Sequence, residues 1–223
     1  MSTPTRILLI VVLGLVLAAG GLAAWYAVQP GQPGGILSSE TRSSGSALIG
    51  GPFTLTDQTG TRRSEADLMG HYALVYFGYT YCPDVCPTSL STMTQGMDLL
   101  AETAPEKAAA VLPVFITVDP ERDTAEALAS YAGHFHPRML ALTGTPEEIA
   151  AAAKAYRIYY QKVEEPDASD YLMDHSSVIY LMAPDGSYLT HFTHVSTAAE
   201  IAESLAAQVD PARATTTTTA PGS

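Results

Sequence analysis

Short apolar runs and helical patterns alternate along residues 47–209. Two runs rich in β-branched and aromatic residues, Tyr72–Tyr79 and Val111–Val118, are short enough to be buried strands. Two later runs, Ser177–Met182 and Tyr188–Phe192, flank the turn-forming sequence PDGS and predict a hairpin. Helical spacing of apolar positions is found in four segments: Pro87–Ala101, Thr124–Gly133, Pro146–Ala155 and Thr197–Gln208. This order predicts a single α/β domain with a mixed central sheet.

One long apolar segment precedes this domain. Ile7–Val28 is a run of 22 uncharged positions, and as a helix it would extend about 33 Å, enough to cross a bilayer core. Because Arg6 precedes the run and no basic cluster follows it, residues 1–6 are expected in the cytoplasm and the domain outside it. Those six residues leave no room for an Arg-rich presequence. We therefore expect an uncleaved single-pass anchor in a bacterial inner membrane, with the domain facing the periplasm or cell exterior.

The segments on either side of the domain have the composition of a linker and a tail. Residues 29–46 are rich in Gly, Pro and Ser, which is typical of a flexible linker. Residues 210–223 include five consecutive threonines and a Pro-Gly pair, and we expect them to be disordered.

The charge balance narrows the class of partner. The chain has 23 Asp and Glu against 11 Lys and Arg, a net charge of −12. Nucleic-acid binding needs a basic patch, so this excess argues against a nucleic-acid partner. The charge is compatible with partners that are basic or neutral at the docking surface.

The two cysteines, Cys82 and Cys86, lie between the Tyr72–Tyr79 run and the first helical pattern. Each precedes a proline, which disfavours helical backbone at the cysteine. We therefore expect Pro87 at the first helical position and Cys86 at the cap. A sulfur at a helix N-terminus is stabilised as the thiolate, the form that binds metals and attacks disulfides.

The spacing of the pair bears on its role. A disulfide here would close a loop of about five residues and contribute only about 2 kcal/mol, which favours a functional metal or redox pair over a structural one. Two thiolates on a loop suit Cu(I), whereas a structural zinc needs four ligands. A third ligand would complete a trigonal site. Spacing alone cannot select it among the six histidines, which are His71, His134, His136, His175, His191 and His194.

Other polar and sulfur-containing residues favour structural roles. Asp123 is placed to cap the helix that begins near Thr124, and Arg122 is expected to pair with a nearby acid. Met93 and Met97 lie four residues apart on one helix face, where core packing is a better interpretation than metal binding.

Three stretches of the chain resemble the Sco/SenC family, the factors involved in the synthesis of cytochrome oxidase. They are FGYTYCPDVCPT at 77–88, VDPERDT at 118–124, and YLMDHSS at 171–177 with IYLMAPDG at 179–186. The similarity covers about residues 50–208. It implies a thioredoxin-like fold that carries one copper on two cysteines and one histidine, here Cys82, Cys86 and His175. We expect His175 in a loop before the hairpin, from which it could swing toward the cysteines.

The resemblance also implies a function and a partner. A copper chaperone of this kind would carry Cu(I) or Cu(II) to the dinuclear copper site of cytochrome c oxidase subunit II, after receiving it from an unidentified donor. The main alternative is a thiol-disulfide oxidoreductase in which Cys82 and Cys86 are the catalytic redox pair that reduces the cysteines of that site. An unidentified thiol reductant would then keep the pair reduced. A peroxidase of the same fold superclass and a copper or redox sensor are further alternatives, although nothing in the chain looks like an output domain.

Overall fold

The computed structural model describes residues 49–164 and 170–214, which contain nine strands and five α-helices. The strands are β1 Thr54–Asp57, β2 Arg62–Ser64, β3 Tyr72–Gly78, β4 Val111–Thr117, β5 Leu140–Thr143, β6 Tyr160–Val163, β7 Leu172–His175, β8 Val178–Met182 and β9 Tyr188–Thr193. The helices are α1 Val85–Thr103, α2 Pro105–Ala109, α3 Ala125–Ala132, α4 Pro146–Ala155 and α5 Ala198–Gln208. Short 3₁₀ turns lie at Glu65–Leu68 and Pro211–Arg213.

Seven of the described strands form one mixed sheet in the order β2-β1-β5-β4-β3-β8-β9. Strand β3 pairs with β4 in parallel and with β8 in antiparallel register, and β5 extends the parallel part. All seven residues of β3 are buried, so both faces of the sheet are covered there. This arrangement confirms the predicted α/β fold with a mixed sheet.

Strands β6 and β7 form a separate antiparallel pair. Tyr160 lies opposite His175 at one end of this pair, and Val163 lies opposite Leu172 at the other. We refer to residues 160–163 and 172–175 together as the β6–β7 pair.

Three helices begin at threonines that match local cap signals. Thr124, Thr145 and Thr197 each accept a hydrogen bond from a backbone N–H in the first turn of the following helix. Glu148 and Glu200 complete capping boxes at the second and third of these helices. The cap predicted for Asp123 is therefore wrong, because Thr124 performs that role and the Asp123 side chain points to other partners.

The predicted strands and helices are confirmed to within two residues at each end. The pattern missed the shorter elements β1, β2, β5, β7 and α2, which have three to five residues each and too few positions to show a period. The prediction of a disordered tail is wrong for Pro211–Arg213, where Asp210 accepts a hydrogen bond from the N–H of Ala212. Tail residues 215–223, the anchor Ile7–Val28 and the linker at 29–46 lie outside the described residues.

Among the helices that the structure describes, none is long and apolar enough to cross a bilayer.

Candidate metal centre

Among the described elements, the cysteine segment connects the most buried strand to the longest helix. Strand β3 ends at Gly78, the chain turns through residues 79–84, and α1 begins at Val85. Cys82 therefore lies in the turn, while Cys86 is the second residue of α1, with Asp84 at the N-cap. The predicted cap at Cys86 is wrong by two residues. Pro87 is tolerated inside the first turn because backbone N–H groups there have no intrahelical acceptor.

Both sulfurs are held against the hydrophobic core. Cys86 is fully buried and Cys82 is 9% exposed, and the N–H of Cys86 points to Sγ of Cys82 at 3.4 Å. Gly78 makes room for this packing, since a Cβ atom there would lie 2.9 Å from Sγ of Cys86 and 2.9 Å from Cε1 of Tyr76. The absence of a side chain at Gly78 thus allows the buried sulfur to approach β3 closely.

His175 completes the group from another part of the chain. Its Nε2 atom lies 3.3 Å from Sγ of Cys86, and Nδ1 lies 3.3 Å from the carbonyl oxygen of Ser176. The ring meets Tyr76 and Tyr79 edge-on, with centroid distances of 6.2 and 5.8 Å. His175 is the last residue of β7, so the expectation that it lies in a loop is wrong.

The three potential ligand atoms of Cys82, Cys86 and His175 lie within 4.8 Å of one another. In the part of the chain that the structure describes, this is the one cluster of three or more Cys, His, Asp or Glu side chains compact enough to hold a metal. Two sulfurs and one imidazole form a soft, three-donor set of the kind that suits Cu(I).

Shared hydrogen bonding makes the two thiols unequal. A side-chain hydrogen bond from Cys86, and a further one from His175, lower the pKa of Cys82 well below its usual range. The same bond to Cys82, together with burial, raises the pKa of Cys86. In the metal-free pair this inequality favours the thiolate at Cys82 over the thiolate at Cys86.

Two of the five histidines outside the cluster make side-chain hydrogen bonds with residues other than the cysteines. Nδ1 of His191 lies 2.6 Å from the hydroxyl of Tyr188, and Nδ1 of His136 accepts the N–H of Arg138 at 3.1 Å. Met93 and Met97 are buried in the core, which confirms the packing interpretation.

Asp123 supports the cysteine turn, a role that the sequence pattern did not indicate. Its buried carboxylate accepts the N–H and hydroxyl of Thr80 at 3.0 and 2.6 Å, and the hydroxyl of Thr117 at 2.5 Å. Burial raises the pKa of the Asp123 carboxyl. Thr80 lies 43 residues away along the chain, so no local spacing could have identified this contact.

Arg122 pairs with Asp119, as predicted. Its Nε atom lies 2.5 Å from Oδ2 of Asp119, and both side chains are largely buried. The same two residues also contact Tyr171 on the segment that leads into β7.

Comparison with known proteins gives consistent matches. The chain is 40% identical over 205 residues to the human Protein SCO1 homolog, mitochondrial, covering 90% of this chain and 67% of that protein. It is 46% identical over 157 residues to the Arabidopsis thaliana Protein SCO1 homolog 1, mitochondrial, covering 70% of this chain and 46% of that protein. The matches thus span about half to two thirds of the length of these two relatives.

The fold has a close counterpart among solved structures. The structure of Bradyrhizobium japonicum ScoI with copper bound has a TM-score of 0.65 and 42% identity, covering 72% of this chain and 99% of that one. This likeness confirms the thioredoxin-like α/β fold. The SCO1/SenC family model matches residues 41–210. Since that match includes most of the chain, with the cysteine turn, the 118–124 stretch and His175, this protein belongs to the SCO1/SenC family.

Proposed function

We propose that this protein is a copper-binding assembly factor of cytochrome c oxidase, which holds Cu(I) on Cys82, Cys86 and His175. The observation that carries this proposal is the convergence of these three donors within 4.8 Å, although His175 is 89 residues from Cys86 in sequence. The copper in the Bradyrhizobium japonicum relative supports the same cargo.

We further propose that the copper is delivered to the dinuclear copper site of oxidase subunit II. Two thiolates, a neutral imidazole and Cu(I) give the site a net charge of −1, and three donors leave copper open to an incoming thiolate. Cys82 is the more exposed sulfur and His175 is only partly buried, whereas Cys86 is fully covered. Transfer by ligand exchange would then begin on the side of Cys82 and His175, and Cys86 would release the metal last.

The alternative function is thiol-disulfide exchange with the cysteines of the same recipient. The specific observation in its favour is the inequality of the two thiols. Cys82 has a lowered pKa and is the less buried of the two cysteines, which favours it as the attacking thiolate. Cys86 would then be the resolving thiol. This chemistry does not require the imidazole of His175 as a ligand.

The cellular setting is proposed from the sequence. An anchor at Ile7–Val28 would keep the domain on the outer side of a bacterial inner membrane, near its oxidase partner. The copper donor and the thiol reductant would act from the same compartment.

The deciding experiment compares variants of the reduced full chain under anaerobic conditions. Cu(I) stoichiometry and affinity are measured for Cys82→Ser, Cys86→Ser and His175→Ala, with His191→Ala as the matched histidine control. We expect one Cu(I) per chain in the native protein and in His191→Ala, and severe weakening in the other three variants. Reduction of an oxidised recipient peptide is measured in parallel. Normal copper affinity in His175→Ala would reject the chaperone proposal, and retained peptide reduction in that variant would then support the alternative.

A further inference from the structure

His175 ends a strand that is not part of the main sheet. Among the described strands, β6 and β7 hydrogen-bond to each other and to none of the seven strands of the main sheet. Both cysteines, by contrast, adjoin the buried strand β3 and helix α1. Only Ser176 and Ser177 separate His175 from β8 of the main sheet, so the sheet anchors it on its C-terminal side. Side-chain contacts from elsewhere in the fold contribute the remaining support that places His175 over the sulfurs.

One set of such contacts joins the β6–β7 pair to the loop after β4. Arg122 Nη1 donates a hydrogen bond to the carbonyl of Tyr171 at 3.0 Å, and its Cζ atom lies 3.7 Å from the centroid of the Tyr171 ring. The Tyr171 hydroxyl donates to Oδ1 of Asp119 at 2.8 Å, while Oδ2 of Asp119 binds Arg122. We call Asp119, Arg122 and Tyr171 the clamp. Each member of the clamp contacts the other two.

The same guanidinium also contacts the cysteine turn. Arg122 Cζ lies 4.7 Å from the ring centroid of Tyr81, the residue before Cys82, and 5.8 Å from that of Tyr79. Tyr79 in turn meets the ring of His175 edge-on. A guanidinium stacks favourably on aromatic faces, so one cation is attracted to rings on both sides of the metal centre.

The burial of Arg122 fits this bridging position. Its side chain is only 14% exposed, and its Nη2 atom is buried without a hydrogen-bond partner among the described residues. Leaving a cation's donor unpaired in a buried position has a cost, which the surrounding tyrosine faces offset. A simple surface ion pair with Asp119 would not require this placement.

We infer that Arg122 is a positioning residue for copper binding: it fixes the β6–β7 pair, and with it the imidazole of His175, against the cysteine turn. Arg122 does not touch the metal. This inference rests on the proposed copper-binding function, but its geometric part concerns the metal-free protein and can be tested there.

The metal-free test follows the His175 ring by nuclear magnetic resonance in the reduced protein. Because the ring lies edge-on to Tyr76 and Tyr79, ring currents should shift its carbon-bound protons from their ordinary positions. In Arg122→Gln we expect these resonances to move toward those of a solvent-exposed histidine. The control is Arg62→Gln, which removes an arginine that pairs with Glu148 outside the clamp. Unchanged His175 resonances in folded Arg122→Gln would overturn the inference.

The copper test is a double-mutant cycle between Arg122 and His175. We expect Arg122→Gln to weaken Cu(I) binding about 10- to 100-fold, as loss of a supporting contact around a metal ligand commonly does. In the His175→Ala background the same change should have little further effect, because there is no imidazole left to position. Equal losses in both backgrounds would show that Arg122 acts only through general stability, which would refute the positioning role.

Two milder variants guard against misfolding. Tyr171→Phe loses the hydroxyl that binds Asp119 but keeps the ring under Arg122, so it should shift the His175 resonances in the same direction by a smaller amount. Arg122→Lys keeps the cation but loses the planar fork, and should recover part of the affinity lost in Arg122→Gln. A Tyr171→Phe protein with native resonances, together with no recovery in Arg122→Lys, would contradict the clamp.

The two proposals fail in different ways. If the native chain binds no Cu(I) at the three donors, the proposed function fails while the resonance test still reports on the clamp. If the native chain binds one Cu(I), but Arg122→Gln retains both its affinity and its His175 resonances, only the positioning role fails.

Discussion

The cysteine side and the histidine side of the metal centre are held in place by different kinds of contact. Cys86 is fully buried in the first turn of α1, directly behind strand β3, all of whose residues are buried. His175 ends a four-residue strand in which Met173 is the only buried residue. Hydrophobic packing surrounds the sulfurs, whereas the imidazole lies edge-on to two tyrosines. The segment that leads into β7 is joined to the loop after β4 by an ion pair, a hydrogen bond and a cation–π contact.

This difference indicates how the site could bind copper firmly and still release it. Close-packed cores resist small displacements, so the two sulfurs keep a constant spacing. Elements with few buried apolar contacts open locally at much lower free energy than the core. A centre with two fixed donors and one detachable donor can lose its imidazole ligand without unfolding.

The largest expected effect is a difference in the free energy of unfolding between a substitution on the cysteine side and one on the histidine side. Leu74 is fully buried in β3, and Leu74→Ala should lower the free energy of unfolding by about 3 to 5 kcal/mol. Leu172 is half-buried in β7, and Leu172→Ala should lower it by no more than about 1.5 kcal/mol. Guanidinium unfolding of the reduced, metal-free chain measures both values. Equal losses would mean that the β6–β7 pair is part of the same cooperative core, which would remove the basis of the comparison.

The same division explains what could be predicted from sequence. Strands β3 and β4 are continuous apolar runs of seven residues and α1 shows its period over 19, so the sequence predicts them and the cysteine turn to within two residues. The family resemblance implies His175 as a ligand, but strand β7 has only four residues and is too short for a pattern. The order of the predicted elements therefore places His175 in a loop, whereas the structure places it in a strand. The Asp123 contacts with Thr80 and the Arg122 contacts with Tyr171 depend on chain folding across 43 and 49 residues. Local propensity contains no information about such contacts.

An intermediate effect concerns how the buried thiol responds to pH. The lowered pKa of Cys82 favours its thiolate at neutral pH, whereas the raised pKa of Cys86 favours its thiol, which must lose its proton when copper binds. One proton is therefore released per Cu(I), and the apparent affinity should rise about tenfold per pH unit between pH 7.5 and 9. Competition with a chromophoric Cu(I) chelator, corrected for the chelator's own titration, measures this slope.

Two uncoupled thiols would give a steeper dependence of Cu(I) affinity on pH. Two independent thiols of ordinary pKa, about 8.5, would release nearly two protons at the lower end of this range and give a slope approaching a hundredfold per unit. The Cys86→Ser variant is the matched control, since it lacks the protonated sulfur and should bind copper weakly with almost no pH dependence. A rise of nearly a hundredfold per pH unit in the native chain would mean that two protons are released per Cu(I). The two thiols would then not share one proton.

The smallest expected effect lies at the surface of the clamp. Nζ of Lys162 lies 3.9 Å from the Tyr171 ring centroid and 3.6 Å from Glu121, but its side chain is 44% exposed. Exposed ion pairs and cation–π contacts each contribute about 1 kcal/mol or less, so Lys162→Ala should weaken Cu(I) binding by at most about threefold. Added salt should shrink even this difference, because it screens exposed charges far more than buried ones. If Lys162→Ala lost as much Cu(I) affinity as Arg122→Gln, and salt did not change that loss, the exposed Lys162 would matter as much as the buried Arg122. The difference in burial between the two cations would then not explain how His175 is positioned.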